Sequence, residues 1–431
     1  MKKVNVGLIG MGTVGTGVAK ALLHRSSWLA QRAGVKLVLK KVSVRNPRRK
    51  RSVALKPGML VKRARDLVRN PEIDIVVELM GGHHPARELV LEAIRSGKHV
   101  VTANKALLAH SGAEIFKAAK RAGVDVQYEA SVAGAIPIIK TLQESLVANE
   151  LHRIYGIING TANFILSEME KQECSFKAAL AEAQKRGYAE RNPALDIRGI
   201  DSAHKLSILS LLAFGKTAQP DDIFVDGIAS ITPNDIRYAR SLGYAIRLLA
   251  IAKRRKQDLE LRVHPTLLPE RHPLALVSGV HNAVYVKGDM IGDQLLYGQG
   301  AGRWPTTSAV LADLVDVARN VASGAHQRVP AFPGRSPIRR IRKMGEVEGR
   351  YYLRFSCIDK PGVLSRITQR LGAHQISIAS VIQLDRRYGR IVPLVMITHE
   401  AKERNVQKAL AAIDRMAVVR NKTMVIRMER G

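Results

Sequence analysis

Two lysines in this chain of 431 residues carry the spacing that acid–base chemistry would use. Lys205 lies in the run AEAQKRGYAERNPALDIRGIDSAHKLSIL with Glu190, Asp196 and Asp201, and Asp201 stands four positions before it. On a helix that spacing turns both side chains to one face. An ammonium group oriented by carboxylates can polarise a carbonyl oxygen and pass it a proton. The plain alternative is a surface ion pair, which contributes little. Lys105 follows the apolar run KHVVTA, at the end of an expected sheet strand. Doubly wound folds gather their ligands at such ends.

A third constellation is Gly10, Gly12 and Gly15, a G-x-G-x-x-G pattern directly after the apolar run VNVGLIG. A strand before it, a helix after it and an enclosing βαβ unit are the context in which the pattern binds a dinucleotide. Gly10 permits the tight turn, Gly12 lets the backbone approach the pyrophosphate, and Gly15 lets helix and strand pack closely. Thr13 and Val14, at the helix N-terminus, offer N–H groups to the phosphates. A purely structural glycine turn is the alternative. An NAD-selective site places an acidic residue about 20 positions on, yet no Asp or Glu precedes Asp66 here. The second strand ends instead at Arg45, followed by Asn46, Arg48, Arg49, Lys50 and Arg51. A guanidinium at Arg45 would pair with a 2′-phosphate, which predicts NADP over NAD, with NAD still possible. The remaining basic residues read equally well as a solvated loop.

The apolar runs show what holds these groups in place. Strands at 4–10, 36–44, 74–79, 98–103 and 124–130 alternate with helical patterns at 13–25, 85–96 and 106–122. Alternation at this pitch means a parallel sheet with helices on both faces. Residues 1–131 are therefore expected to form a Rossmann-type, doubly wound α/β domain that binds NADP. From 132 the pattern becomes α+β, with a strand at 151–159, helices at 164–172, 175–187, 201–214 and 235–246, and strands at 259–268 and 282–289. The stretch 132–302 is read as a catalytic and dimerisation domain. A helix at 308–320 returns to the first domain and completes it over 303–325. The Pro-, Gly- and Arg-rich residues 326–348 read as a linker. Residues 349–431 run strand, helix, strand, strand, helix, strand, the ferredoxin-like βαββαβ order.

Lys and Arg number 69 against 37 Asp and Glu, a formal net charge of +32. Such an excess fits a nucleic-acid binder, a sequence-wide bias, or an enzyme with anionic substrates. The basic residues are spread along the chain and aromatics make up only 4%, too few for a base-stacking platform, so no nucleic-acid partner is expected. No apolar run approaches the roughly 18 residues needed to cross a bilayer, and the N-terminus reads as a first strand, not a signal peptide. Two distant cysteines, Cys174 and Cys357, give neither a disulfide framework nor zinc-ligand spacing, which suits a reducing cytoplasm.

From Ala183 to Lys205 the chain reads A-x3-G-Y-A-x2-N-P-x2-D-I-x-G-x-D-x3-K without a gap. With VVTANKALLA at 100–109, YEASVAGAIPII at 128–139 and GIINGTANFILSEM at 156–169, this run resembles the homoserine dehydrogenase family over residues 3–320. The resemblance implies reversible reduction of L-aspartate 4-semialdehyde to L-homoserine by NAD(P)H, on the route to threonine, isoleucine and methionine. It makes Lys205 the proton donor and Lys105 the second lysine near substrate and nicotinamide. Glu190 becomes the acid for the substrate's ammonium group, and Asp201 the carboxylate that holds substrate and Lys205. Asp196 fills the remaining acidic position, and Gly187 supplies backbone at the substrate pocket. Glu129, Val132, Gly134 and Ile136 match positions that hold a structural sodium ion, largely through carbonyl oxygens, which are chemically suitable hard donors. GQGAGRWPT at 298–306 is similar to a late glycine-rich loop in which Gly302 approaches the cofactor.

DKPGVLSRITQRLGAHQISIASVIQ at 359–383 resembles an ACT domain, whose D-x-PG-x-L turn opens the first helix. Asp359 precedes that helix and Pro361 suits its first turn. Paired ACT domains bind amino acids near this turn. Threonine is thus implied as a feedback effector and a homo-oligomer, dimer or tetramer, as the assembly. An ACT fold that only holds subunits together is the alternative. Another semialdehyde enzyme, of the phosphorylating kind, would need a cysteine nucleophile beside the nicotinamide, and neither Cys174 nor Cys357 is placed for it. A cofactor-binding sensor that regulates nucleic acid would belong to a different class, and no reader motif supports it.

Overall fold

The structure, a computed structural model, describes residues 1–47, 52–331, 336–383 and 390–430. Arg48, Arg49, Lys50 and Arg51 lie outside the described residues. The chain forms two compact units. The first gathers Met1–His152, His204–Asp222 and Asn282–Ile338, and the second Arg153–Ala203, Ile223–His281 and Arg339–Gly431. No helix among the described residues is long and apolar enough to cross a membrane.

The first unit opens with β1 (Lys3–Ile9), α1 (Thr13–His24), α2 (Ser26–Ala33), β2 (Lys36–Ser43), β3 (Leu60–Val61), α3 (Ala64–Val68), β4 (Ile75–Glu78), α4 (Ala86–Arg95), β5 (His99–Thr102), α5 (Lys105–Ala122), β6 (Val126–Gln127) and the short α6 (Ile138–Lys140). Its sheet runs β3-β2-β1-β4-β5-β6, every neighbouring pair parallel, which is the doubly wound dinucleotide-binding order. The runs IVVE and HVVT are buried along their whole length because a parallel strand is covered on both faces. Val6, Leu8, Ile75, Val77 and Val101 pack into one core with Val18 and Leu22 of α1. Val310, Leu314 and Val317, much later in the chain, join the same core.

The chain continues with β7 (Leu151–Ile157), α7 (Gly160–Gln172), α8 (Phe176–Lys185), α9 (Ala194–Ile197), α10 (Ile200–Phe214), β8 (Phe224–Val225), α11 (Pro233–Ser241), β9 (Tyr244–Arg255) and β10 (Asp258–Pro269). The helix expected over 235–246 is shorter than its pattern suggested. A capping box between Thr232 and Asp235 starts α11, with Pro233 at its first position. Gly243, at φ +76°, follows its end. The run YAIRLLAIAKRR then becomes β9, paired with β10 from Tyr244↔Pro269 to Arg255↔Asp258. Twelve cross-strand pairs outweigh the helical preference of its leucines and alanines.

Next come β11 (His281–Gly288), β12 (Gly292–Gln299) and α12 (Arg303–Ser323), the helix that carries Val310 and Leu314 into the first core. The C-terminal part holds β13 (Arg340–Ile341), β14 (Glu348–Ile358), α13 (Val363–Ala373), β15 (Ile378–Ile382), β16 (Ile391–Thr398), β17 (Ala401–Lys402), α14 (Glu403–Ile413) and β18 (Val419–Met428). Strands β14, β15, β16 and β18 form an antiparallel sheet, and Ile367, Leu371, Val406 and Leu410 of the two helices pack on Leu353 and Phe355. This module is joined to the rest of the second unit by backbone pairing. Three strands pair parallel with β10 in succession, each over two residues: β13 at Asp258–Leu259, β8 at Arg262–Val263 and β18 at Thr266–Leu267.

Candidate active site

The three glycines of the first turn do three different jobs, and the structure separates them. Gly10 sits at φ +92°, and a Cβ there would lie 2.6 Å from the Leu79 carbonyl oxygen. A Cβ on Gly15 would fall 2.1 Å from the Gly10 carbonyl oxygen, so strand and helix meet only because it is absent. A Cβ on Gly12 would meet nothing within 4 Å. That position faces open space. Helix α1 begins at Thr13 with Gly12 as its N-cap and no side-chain cap, so its first turn presents N–H groups suited to an anion. Gly10 N–H donates to the Ser43 carbonyl (2.9 Å), tying the end of β2 to the turn. Arg45 lies two residues beyond, exposed.

Beside this turn is a cavity of about 270 Å³ lined by Val14, Leu79, Asn104, Lys105, Gly134, Lys205 and Thr306 among others. Both sequence-predicted lysines face it. Lys205, on α10, is buried, and Lys105 is the first residue of α5. Asn104 caps that helix by accepting from the Leu107 N–H (3.1 Å). Gly134, at φ +56°, has the Gly300 carbonyl 2.4 Å from where its Cβ would stand, and Ala133 before it is also left-handed. Gly302, at φ +119°, is the N-cap of α12.

The loop proposed for sodium is fixed by its own side chain. The buried Glu129 carboxylate accepts from Ile139 N–H (2.9 Å) and Lys140 N–H (2.8 Å), while Glu129 N–H donates to Asp313 (2.8 Å). Burial pushes the Glu129 carboxyl pKa up, and those N–H groups oppose it. With this carboxylate engaged, a cation at Glu129, Val132, Gly134 and Ile136 would depend on main-chain oxygens. Elsewhere, His99, Asp125 and His326 bring one ligand atom each within 4.8 Å of one another. His99 Nδ1 already accepts from Asp125 N–H (3.0 Å), and the Asp125 carboxylate accepts from Gln327 N–H and Asn320 Nδ2. Through these bonds Asp125 braces the start of β6 against the end of α12.

In the second unit two acids of the motif, Asp196 and Asp201, are joined by Asn159. Its Nδ2 donates to Asp196 (2.7 Å) and to Asp201 (2.9 Å), and its Oδ1 caps α7 at Ala162 N–H (2.8 Å). Asp201 and Lys205 stand one turn apart on α10, as their spacing required. Gly187 turns the chain at φ +74° after α8, and Glu190 is exposed in the loop that follows. Sequence reasoning singled out neither Asn159 nor Glu78, a buried acid at the end of β4. In the C-terminal module α13 opens at Val363 with Gly362 (φ +83°) as its N-cap, so Pro361 precedes the first turn instead of filling it.

A glycine turn at the head of a parallel doubly wound sheet, with two lysines on the adjoining cavity, defines a nicotinamide-dependent dehydrogenase. Residues 10–129 match the family described as homoserine dehydrogenase, NAD binding domain; residues 137–315 match homoserine dehydrogenase, and residues 351–417 the ACT domain. The chain is 45% identical to the homoserine dehydrogenase of Pseudomonas aeruginosa, over 100% of this chain and 99% of that one. It is 44% identical to that of Neisseria gonorrhoeae, with the same coverage. The crystal structure of a homoserine dehydrogenase from Thiobacillus denitrificans superposes with a TM-score of 0.93 at 48% identity, covering 100% of this chain and 99% of that one. A hyperthermophilic archaeal homoserine dehydrogenase in complex with NADPH matches 73% of this chain and 97% of its own, with a TM-score of 0.62 at 25% identity. The chain belongs to the homoserine dehydrogenase family and is an oxidoreductase acting on a CH–OH group.

Proposed function

We propose that this chain catalyses the reversible reduction of L-aspartate 4-semialdehyde to L-homoserine, with NADPH, in the biosynthesis of threonine, isoleucine and methionine. The observation that supports it most is the pair Lys105 and Lys205 on one cavity beside the glycine turn. When bound, the dinucleotide would supply a hydride to the aldehyde carbon. Lys205, as an ammonium ion, stabilises the charge growing on the aldehyde oxygen and gives it a proton. Asp201 orients that lysine, and Lys105 works beside substrate and nicotinamide. Glu190 receives the substrate's ammonium group, with Asp196 and the Gly187 backbone completing the substrate site. Gly10, Gly12, Thr13, Val14, Gly15 and Gly302 hold the dinucleotide, and Arg45 its 2′-phosphate. The open space at Gly12 and the uncapped α1 fit that role.

Sodium is assigned to the 129–136 loop and threonine to the ACT module, in a cytoplasmic dimer or tetramer. In domain terms, 1–131 with 303–325 binds NADP, 132–302 is catalytic and dimerising, 326–348 links, and 349–431 regulates. In the oxidative direction Lys205 must accept the proton, so homoserine oxidation accelerates toward alkaline pH. The test is homoserine oxidation with NADP and NAD in parallel, with and without threonine, repeated on Lys205→Ala. That variant is expected to lose about 10²–10⁴-fold in kcat. Retained turnover would remove the proton-transfer assignment.

A further inference from the structure

Glu78 has no part in the chemistry above, yet its carboxylate is wholly buried and accepts four hydrogen bonds. One oxygen accepts from Met80 N–H (2.9 Å), Gly81 N–H (3.3 Å) and Asn104 Nδ2 (3.4 Å). The other accepts from Thr102 Oγ1 (2.7 Å). Burial pushes the Glu78 carboxyl pKa up and the four donors oppose it; burying such a group is costly unless hydrogen bonds compensate.

What the carboxylate holds is specific. Leu79 and Gly81, on either side of its Met80 contact, line the cavity. Thr102 Oγ1 in turn accepts from Asn104 N–H (3.0 Å), and Asn104 Nδ2 donates to Gly82 O (2.7 Å) while its Oδ1 caps α5. The exit of β4 and the start of α5 are thus fastened to one group, and Lys105 is the first residue after the fastening. We propose that Glu78 is a positioning residue, which sets Lys105 against the 79–82 loop at the floor of the cavity. This rests on the assignment of Lys105 to the dehydrogenase site.

The experiment uses the full chain with Glu78→Ala, Glu78→Gln and Thr102→Val, each alone and combined with Lys105→Ala. The melting temperature, the Kd for NADPH by fluorescence titration, and kcat and KM for homoserine oxidation are measured on each. Glu78→Ala is expected to lower kcat/KM about 10²-fold, the cost of a misplacement on the order of 1 Å, while the protein is still folded. Glu78→Gln keeps an acceptor for Met80 and Gly81 and should restore most of the activity. Thr102→Val cuts the route to Asn104 through the hydroxyl, leaving only the 3.4 Å direct contact, without removing the acid, so it serves if Glu78→Ala does not fold. In the Lys105→Ala background each of these losses should shrink to a few-fold, because the group being positioned is gone. Losses that multiply with Lys105→Ala, or a drop in melting temperature alone, would overturn the proposal. If the unaltered protein bound NADPH without oxidising homoserine, the reaction assignment would fall, and the same comparison on Kd would still decide the role of Glu78.

Discussion

Glu429, one residue past β18, offers a stability effect large enough to measure. Its buried carboxylate accepts from Tyr155 Oη (2.7 Å), from Lys253 Nζ (3.2 Å) and from the Arg262 guanidinium. Burial acts to raise its pKa, but the charges of Arg262 and Lys253 and the Tyr155 hydroxyl win and hold it down from 4.5 to about 2. By linkage that fall is worth about 3 kcal/mol to the folded state. Because the folded pKa is the lower one, the contribution is complete above about pH 4.5 and fades as pH drops toward 2. Glu429→Gln keeps the shape and removes the charge, leaving Arg262 and Lys253 short of a counter-ion. Breaking a buried pair in this way costs about 3–5 kcal/mol. Glu260 stays 3.4 Å from Arg262, which favours the lower end. A unit of about 200 residues loses roughly 2–4 °C per kcal/mol, so the melting transition should fall by roughly 6–12 °C at pH 7. The gap between variant and parent should narrow steadily below about pH 4.5. Equal melting at pH 7, or a gap that stays constant down to about pH 3, would refute the reasoning.

Other outcomes follow from single contacts. Gly12→Ala should melt with the parent protein yet bind NADPH weakly, because its methyl group meets only the ligand's space. Gly15→Ala should instead destabilise the fold, since the methyl would lie 2.1 Å from the Gly10 carbonyl oxygen; calorimetry and NADPH titration on both variants separate the two. Arg45→Ala should raise KM for NADP by about 10-fold or more, the worth of one charge-assisted contact, and leave KM for NAD nearly unchanged. Asn159→Ala removes the bridge between Asp196 and Asp201 as well as the cap of α7. It should cost about 1 kcal/mol of stability and lower kcat/KM for homoserine while leaving KM for NADP in place.

The parallel sheet, the glycine turn and the βαββαβ module were legible because each repeats a short pattern in contiguous residues. Lys105 and Lys205 were placed for the same reason, one at a strand end and one at helical spacing from Asp201. What escaped was decided by partners distant in sequence. The helical reading of 235–246 ran three residues into YAIRLLAIAKRR, which becomes a strand only when β10 is laid beside it, and the turn between them, with Lys256 at φ +57°, carries none of the Asn-Gly or Asp-Gly marks of a hairpin. Helix α2 was hidden because its eight residues, SSWLAQRA, are too few for a helical period to show. Glu78 and Asn159 lay inside segments already read as a strand end and a family motif. A lone acid closing a wholly buried parallel strand was a usable clue, since such a residue demands donors. Asn159, followed by Gly160, carried the mark of a helix cap but nothing of its second task.

The outer edge of β10 is shared by β13, β8 and β18, each covering two residues of it. Severing the chain ahead of the C-terminal module would leave β8 in place but bare the backbone of Thr266 and Leu267 that β18 covers, and an unpaired strand edge recruits other chains. An effector-blind enzyme is better sought by point changes in the 359–364 turn than by truncation, for a shortened protein that clumps would say nothing about feedback.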